Sequence, residues 1–300
     1  MKHTMKHTIK HTIRRRFFTV LLTLLLLIPA AALPAYAAAG GSSPPKYGTV
    51  PVYINGARFS HDAYIIENGV TYLPLRALAE ALLTNPKIRW DSARSRAEVR
   101  TASLTLTAEP GSIYITANGR YLALSGLWPA QTTLENGVTY VPVRTAVRAM
   151  GGEVSWNAAG RCVEITANAA PLVHGDRFYD AGTLYWLSRI IYAEAGDQSL
   201  RGQLAVGAVV MNRVRSDSFP NTVYGVIFDR KWGVQFTPTA NGAIYKTPSA
   251  QSIIAAKLVM DGCRISEQAM YFLDPTLATN DWIVHNRPAL FSIGCHDFYS

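Results

Sequence analysis

The chain is 300 residues long, with 49% hydrophobic and 16% charged positions, 22 Gly and 16 Pro. That balance excludes a wholly disordered or collagen-like chain and suits two folded units. The formal charge is +9, but six of the 29 bases and none of the 20 acids fall in residues 1–37; the net +3 beyond them argues against a dedicated nucleic-acid binder.

Residues 1–37 read as a secretory signal peptide. Arg14, Arg15 and Arg16 precede an apolar run from Phe17 to Ile28, Pro29 breaks it, and the small residues Ala35 and Ala37 suit cleavage after Ala37. A run of 12 is short of the roughly 20 residues that span a bilayer, so no stable membrane span is expected after cleavage. The expected location is outside the cell, in the envelope. The repeat that places His3, His7 and His11 at i, i+4, i+8 belongs to this leader and means little for metal binding. Residues 38–49 are a Gly/Ser/Pro-rich flexible linker.

Order is expected from Val50. Glu67-Asn68-Gly69-Val70-Thr71-Tyr72 returns as Glu135-Asn136-Gly137-Val138-Thr139-Tyr140, an internal repeat. Each Asn-Gly lies between β-prone runs and supplies the positive φ angles of a tight hairpin turn. Pro74 and Pro142 then open short amphipathic helices, with Leu75, Leu78, Ala79, Leu82 and Val143, Ala146, Val147, Met150 at i, i+3, i+4, i+7. Gly151-Gly152 ends the second helix, and both copies continue through Trp90 or Trp156 to an alternating strand such as Cys162-Val163-Glu164-Ile165. The unit is ββαββ-like. Over 50–168 it resembles the copper amine oxidase N-terminal-like, or stalk, domain of exported bacterial envelope proteins. Copper chemistry has no visible ligand set, because only His61, His174, His285 and His296 remain after the leader. Arg76 and Arg144 recur at matching positions, where a structural ion pair or capping role outweighs glycan contact.

Residues 169–182 read as a second linker, and from Thr183 the period turns helical, with Gly196 as the stop. Leu187, Ile190, Ile191 and Glu194 fall at i, i+3, i+4, i+7, so a carboxyl occupies a slot that calls for an apolar side chain. In such a setting the ionised form is disfavoured, the pKa rises, and the group can hold a proton near neutral pH as a general acid must; the alternative is a Glu at a frayed helix end reaching water. The next helix, about 200–214, is apolar nearly all round and is expected at the core, where Gln203 and Asn212 either orient substrate or tie the helix to a loop. Cys162, Cys263 and Cys295 contain no CxxC pair; export permits a disulfide between Cys263 and Cys295, although sequence does not supply its geometry.

Ile191-Tyr192-Ala193-Glu194-Ala195, the run Gly202-Gln203 to Asn212-Arg213-Val214, and Ser218-Phe219-Pro220-Asn221-Thr222-Val223 together resemble the SleB/CwlJ-type cell-wall hydrolases. The likeness extends through Gln235-Phe236, Ala269-Met270-Tyr271-Phe272 and Ile293 to Tyr299, essentially all of 183–300. It implies an α+β chain whose second domain is mainly helical and lysozyme-like with a small sheet. It also implies cleavage of peptidoglycan, possible spore cortex included, by a lytic transglycosylase in which Glu194 is the catalytic residue and no metal or cofactor takes part. Gln203, Asn212, Gln235, Phe236, Tyr271 and His296 are the substrate-binding candidates, while core packing is expected of Trp282. One departure stands out: where the family has Glu-Ala-Arg-Gly-Glu-Pro, this chain has Glu194-Ala195-Gly196-Asp197-Gln198-Ser199, so the family's second acid is Gln198. Residues 171–300 contain only Glu194 and Glu267 as glutamates, which suits a mechanism needing one carboxyl. Muramidase-type hydrolysis with Asp197 or Asp217 as partner, and a non-catalytic wall-binding protein, are the alternatives.

Overall fold

A computed structural model of the chain describes residues 48–65, 69–124, 132–167, 172–278 and 282–300. The expected leader with its His3, His7 and His11, most of the first linker, Glu67 and Asn68 lie outside the described residues.

The β-rich region holds the repeat twice. Strands β1 (Thr49–Val50), β2 (Val52–Ile54), β3 (Ala57–Arg58), β4 (Ala63–Ile65) and β5 (Thr71–Pro74) lead into helix α1 (Leu75–Leu82), then β6 (Lys87–Asp91) and β7 (Arg96–Arg100). After β8 (Thr105–Ala108), β9 (Tyr114–Ala117) and β10 (Arg120–Ala123), the second copy runs β11 (Thr133–Glu135), β12 (Val138–Pro142), α2 (Val143–Ala149), β13 (Glu153–Asn157) and β14 (Cys162–Thr166). Pro74 and Pro142 cap the two helices, whose apolar faces are buried through Leu75, Leu78 and Ala79 and through Val143, Ala146 and Val147. At the β11–β12 turn Asn136 and Gly137 take φ of 49° and 76°, as a tight hairpin requires. Asn55-Gly56 and Asn118-Gly119 turn the chain in the same way.

The copies are not separate modules. Strands β5 and β12 pair antiparallel, fusing both hairpins into one sheet of order β1-β4-β5-β12-β11. A second sheet runs β10-β9-β8-β7-β6, and the third, β13-β14-β2-β3, is joined by parallel pairing of β14 with β2. One apolar core of Leu73, Leu78, Leu106, Val141 and Val147 with their neighbours serves all three. Arg76 pairs with Glu80 at 3.5 Å and Arg144 donates to the Val154 carbonyl, so both serve local structure.

The helical region comprises α3 (Gly175–Phe178), α4 (Ala181–Ala195), α5 (Leu200–Arg215), α6 (Val223–Phe228), α7 (Pro238–Asn241), a 3-10 turn (Ala243–Tyr245), α8 (Ala250–Met260), β15 (Tyr271–Leu273), α9 (Trp282–Asn286), β16 (Ala289–Ile293) and β17 (His296–Tyr299). Helix α5 is the core helix, buried continuously from Gly202 to Val210, with α4 and α8 packed on it. Gly207 lets them approach: a Cβ there would lie 2.8 Å from Ile191 Cδ1 and 3.1 Å from Val259 Cγ2. The last three strands form a sheet of order β15-β17-β16.

Residues 172–180 are fastened to the β-rich region. Asn118 donates to the Leu172 carbonyl and accepts at its own carbonyl from Gly175 N–H, and the Tyr179 hydroxyl accepts from Tyr121 N–H at 2.8 Å. Beside this seam Asp261, just past α8, has a side chain only 1% exposed; it accepts from Arg120 Nε at 2.7 Å and Nη2 at 2.8 Å, and from Arg148 Nη2 at 2.7 Å. All three cysteines are free thiols, so the Cys263–Cys295 pairing that export would permit is not formed.

Candidate active site

Glu194 sits in the last turn of α4, which Asp180 caps by accepting from Thr183 N–H. Its face of the helix is Leu187, Ile190 and Ile191, all fully buried. The carboxyl is partly buried, and this burial pushes its pKa up to about 7. Its position at a helix C-terminus works in the same direction, because the negative end of the helix dipole disfavours a carboxylate.

The loop after Glu194 is held by amides. Gln203, fully buried, donates from Nε2 to the carbonyls of Gly196 and Gln198, and Gln251 donates to the Gln198 carbonyl at 3.0 Å. Gln198 Nε2 reaches Asp197 Oδ1 and Cys295 Sγ, each at 3.3 Å, which joins the loop to the β16–β17 turn. Gly294 in that turn has φ of 62° and lies directly against the Gln198 amide, so a side chain there would displace that amide. Asp197 is exposed and acts electrostatically on the neighbouring His296.

A second group gathers around β15. Asn212, buried, donates to the carbonyls of Ser266 and Ala269, both at 2.9 Å, and Arg213 Nε donates to Met270 at 2.7 Å, so the end of α5 fixes the segment leading into β15. Two guanidinium groups then lie over the Tyr271 ring, Arg213 at 5.2 Å and Arg287 at 4.7 Å. Phe272 touches His296 (5.1 Å) and Phe236 (6.3 Å). Burial pushes the His296 pKa down, against the opposing pull of Asp274, Asp197 and Asp297.

Of the residues singled out in the sequence, Phe236, Tyr271 and His296 thus converge on β15, and the Gln198–Cys295 bond connects them to the Glu194 loop. The amide nitrogens of Gln203 and Asn212 tie loops by donating to backbone carbonyls, while Gln203 Oε1 is buried without a hydrogen-bond partner among the described residues. Gln235 is half-buried and donates to the Gly233 carbonyl. Trp282 is 49% exposed, a correction to its expected place in the core, because α9 buries none of its residues. Asp217 lies beyond the far end of α5, about 24 Å of helix away from the Glu194 loop, too distant to act with that carboxyl. Sequence reasoning passed over Arg213, whose signal was a base at the end of an otherwise buried helix. Among the described residues no three of His, Cys, Asp and Glu converge as a metal site.

The family described as Cell Wall Hydrolase matches residues 197–299, and the Copper amine oxidase N-terminal domain matches 53–165. This chain carries a cell wall hydrolase domain. Glu194 stands three residues ahead of the matched stretch of that domain. A spore cortex-lytic enzyme of Bacillus cereus is 38% identical over 120 residues, which is 40% of this chain and 45% of that protein. Its counterpart in Bacillus subtilis is 39% identical over 112 residues, 37% of this chain and 35% of that protein. The chain therefore spans less than half the length of these curated relatives. The solved catalytic domain of the germination-specific lytic transglycosylase SleB from Bacillus anthracis is 38% identical, with 41% of this chain and 97% of that one covered and a TM-score of 0.37.

Proposed function

We propose that the cell wall hydrolase domain cuts the glycan strand of peptidoglycan between N-acetylmuramic acid and N-acetylglucosamine, with Glu194 as general acid and then base. The observation that carries this reading is a single partly buried carboxyl whose pKa is pushed up to about 7 by its apolar setting. Protonated Glu194 gives its proton to the glycosidic oxygen as the C–O bond breaks. The resulting carboxylate then takes the proton of the muramyl 6-hydroxyl while that oxygen closes onto the anomeric carbon, giving a 1,6-anhydro product. The ring closure returns the proton to Glu194, so no second carboxylate is consumed or needed. The β-rich region serves as the stalk that carries the domain in the envelope, and the names of the relatives point to spore cortex as the wall in question.

Digestion of purified peptidoglycan and spore cortex, with products weighed by mass spectrometry, tests the reading. Wild type should release anhydro-muropeptides and Glu194→Gln should release none. Products heavier by one water would assign hydrolysis, with Asp197 as the partner to examine, and an inert wild type would leave a wall-binding protein.

A further inference from the structure

Both copies of the ββαββ unit end in the same hairpin, yet only one of them is basic. Strands β6 and β7 set Lys87 opposite Arg100, Ile88 opposite Val99, Arg89 opposite Glu98, Trp90 opposite Ala97 and Asp91 opposite Arg96. Strands β13 and β14 repeat that register with Glu153 opposite Thr166, Val154 opposite Ile165, Ser155 opposite Glu164, Trp156 opposite Val163 and Asn157 opposite Cys162. The apolar positions and the tryptophan are kept, and so is the glutamate, as Glu98 and Glu164. Lys87, Arg89, Arg96 and Arg100, by contrast, stand where the second copy has Glu153, Ser155, Cys162 and Thr166. The hairpin therefore forms without the bases. Edge protection does not account for them either, because β6 and β13 are both edge strands and only β6 is basic.

Strand alternation puts all four bases on one face. Lys87 faces Arg100 directly, a like-charge pair that costs stability. Glu98, 1% exposed beneath the guanidinium groups, is shared by Arg89 at 2.7 Å, Arg96 at 2.8 Å and Arg100 at 3.2 Å. One carboxylate does not neutralise three guanidiniums, so positive charge is left over. The carboxylate also fixes their orientation: Arg89 and Arg96 each bind it through Nε and Nη2, and Arg100 through Nη2. Among the described residues the Nη1 groups of all three make no hydrogen bond. The five bases and two acids from Lys87 to Arg100 give +3, the whole net charge of residues 38–300, so bases and acids balance over the rest of that stretch.

We propose that this face docks the stalk on a phosphodiester polymer of the cell wall, whose phosphates take the open Nη1 sides of Arg89, Arg96 and Arg100 and the ammonium of Lys87. Guanidinium groups held in a fixed plane suit phosphate oxygens, which accept paired N–H bonds. A stem peptide of peptidoglycan spaces its carboxylates with amides and methyl groups, whereas a phosphodiester chain brings one anion per repeat and suits adjacent bases better. That the polymer belongs to the wall rests on the function proposed above; that it is polyanionic rests on the hairpin alone.

The test titrates the full chain with poly(glycerol phosphate) by calorimetry over a range of salt, beside the double variant Arg89→Ser, Arg100→Thr, which imports the residues of the second copy and leaves Glu98 paired with Arg96. Wild type should bind with an affinity that falls steeply as salt rises, and the double variant should lose at least about tenfold at low salt, with a log–log slope shallower by about 1–2. Lys87→Glu, at an exposed position, should weaken binding in the same direction if the double variant does not fold. On isolated walls wild type should be retained better than the variants, and stripping the phosphodiester polymer with hydrofluoric acid should erase the difference. Equal binding of wild type and folded variants, or a difference in retention that survives stripping, would overturn the proposal; so would tighter binding to single-stranded DNA of equal charge, which would make the face a nucleic-acid site. Cleavage of stripped walls by wild type is scored separately: polymer binding without cleavage would remove the hydrolase reading and leave the docking face, and cleavage without polymer binding would do the reverse.

Discussion

A carboxyl that is half out of water at neutral pH is a strain on the folded state, and Glu194 makes that strain measurable. Its pKa is about 7 in the folded protein against 4.5 for an unperturbed glutamate, so the native state binds more protons than the unfolded state between those values. Stability is therefore fully present below about pH 4.5 and falls as pH rises through 7, by about 2–3 kcal/mol. Glu194→Gln should accordingly be more stable than wild type at pH 8 and indistinguishable from it at pH 4, as urea unfolding at the two pH values will show. Activity should follow the acid form and decline above about pH 7 with the same titration. This residue was legible in the sequence because a carboxylate interrupted a helical apolar period, a signal that needs no tertiary information. Gln203 and Asn212 were legible only as buried amides; whether such a group faces substrate or backbone depends on where the next loop runs, which local periodicity does not encode.

At the scale of elements, α4 is held in place by glycine. Replacing Gly207 with alanine would gain roughly 1 kcal/mol of helix propensity, yet its methyl would press on Ile191 and Val259, both fully buried. We expect Gly207→Ala to cost about 1–2 kcal/mol net, read as a lowered urea midpoint, and to reduce turnover because Ile191 belongs to the face that aims Glu194. Both ββαββ units were visible beforehand, since Asn-Gly turns, Pro-initiated helices and apolar spacing are short-range signals. The pairing of β5 with β12 and of β14 with β2 was not, because edge-to-edge selection depends on residues far apart in the chain. The same limit hid the seam at 172–180: read locally it is a polar connector, and only Asn118, Gly119 and Tyr121 reveal what it fastens to.

At the scale of the molecule, Asp261 ties the helical region to the stalk. Its buried carboxylate is balanced by Arg120 and Arg148 from the stalk, and Ile113, Tyr114 and Tyr121 of the stalk complete the apolar core of the helical region. Removing one partner of a buried charge cluster leaves the others uncompensated, typically at about 3–5 kcal/mol. Asp261→Ala should thus lower the melting temperature by about 10 °C. The helical region expressed alone, from residue 172, should bind an apolar dye along the face that the stalk covers.

The parallel pairing of β14 with β2 also governs when this protein can fold. Val163 meets Val52, 111 positions earlier in the chain, so the third sheet stays open until almost all of the stalk has been synthesised. Contacts of such long sequence separation make folding slow. Asp261 meets Arg120 and Arg148, 141 and 113 positions earlier, so the seam between stalk and helical region likewise closes only once both have been synthesised.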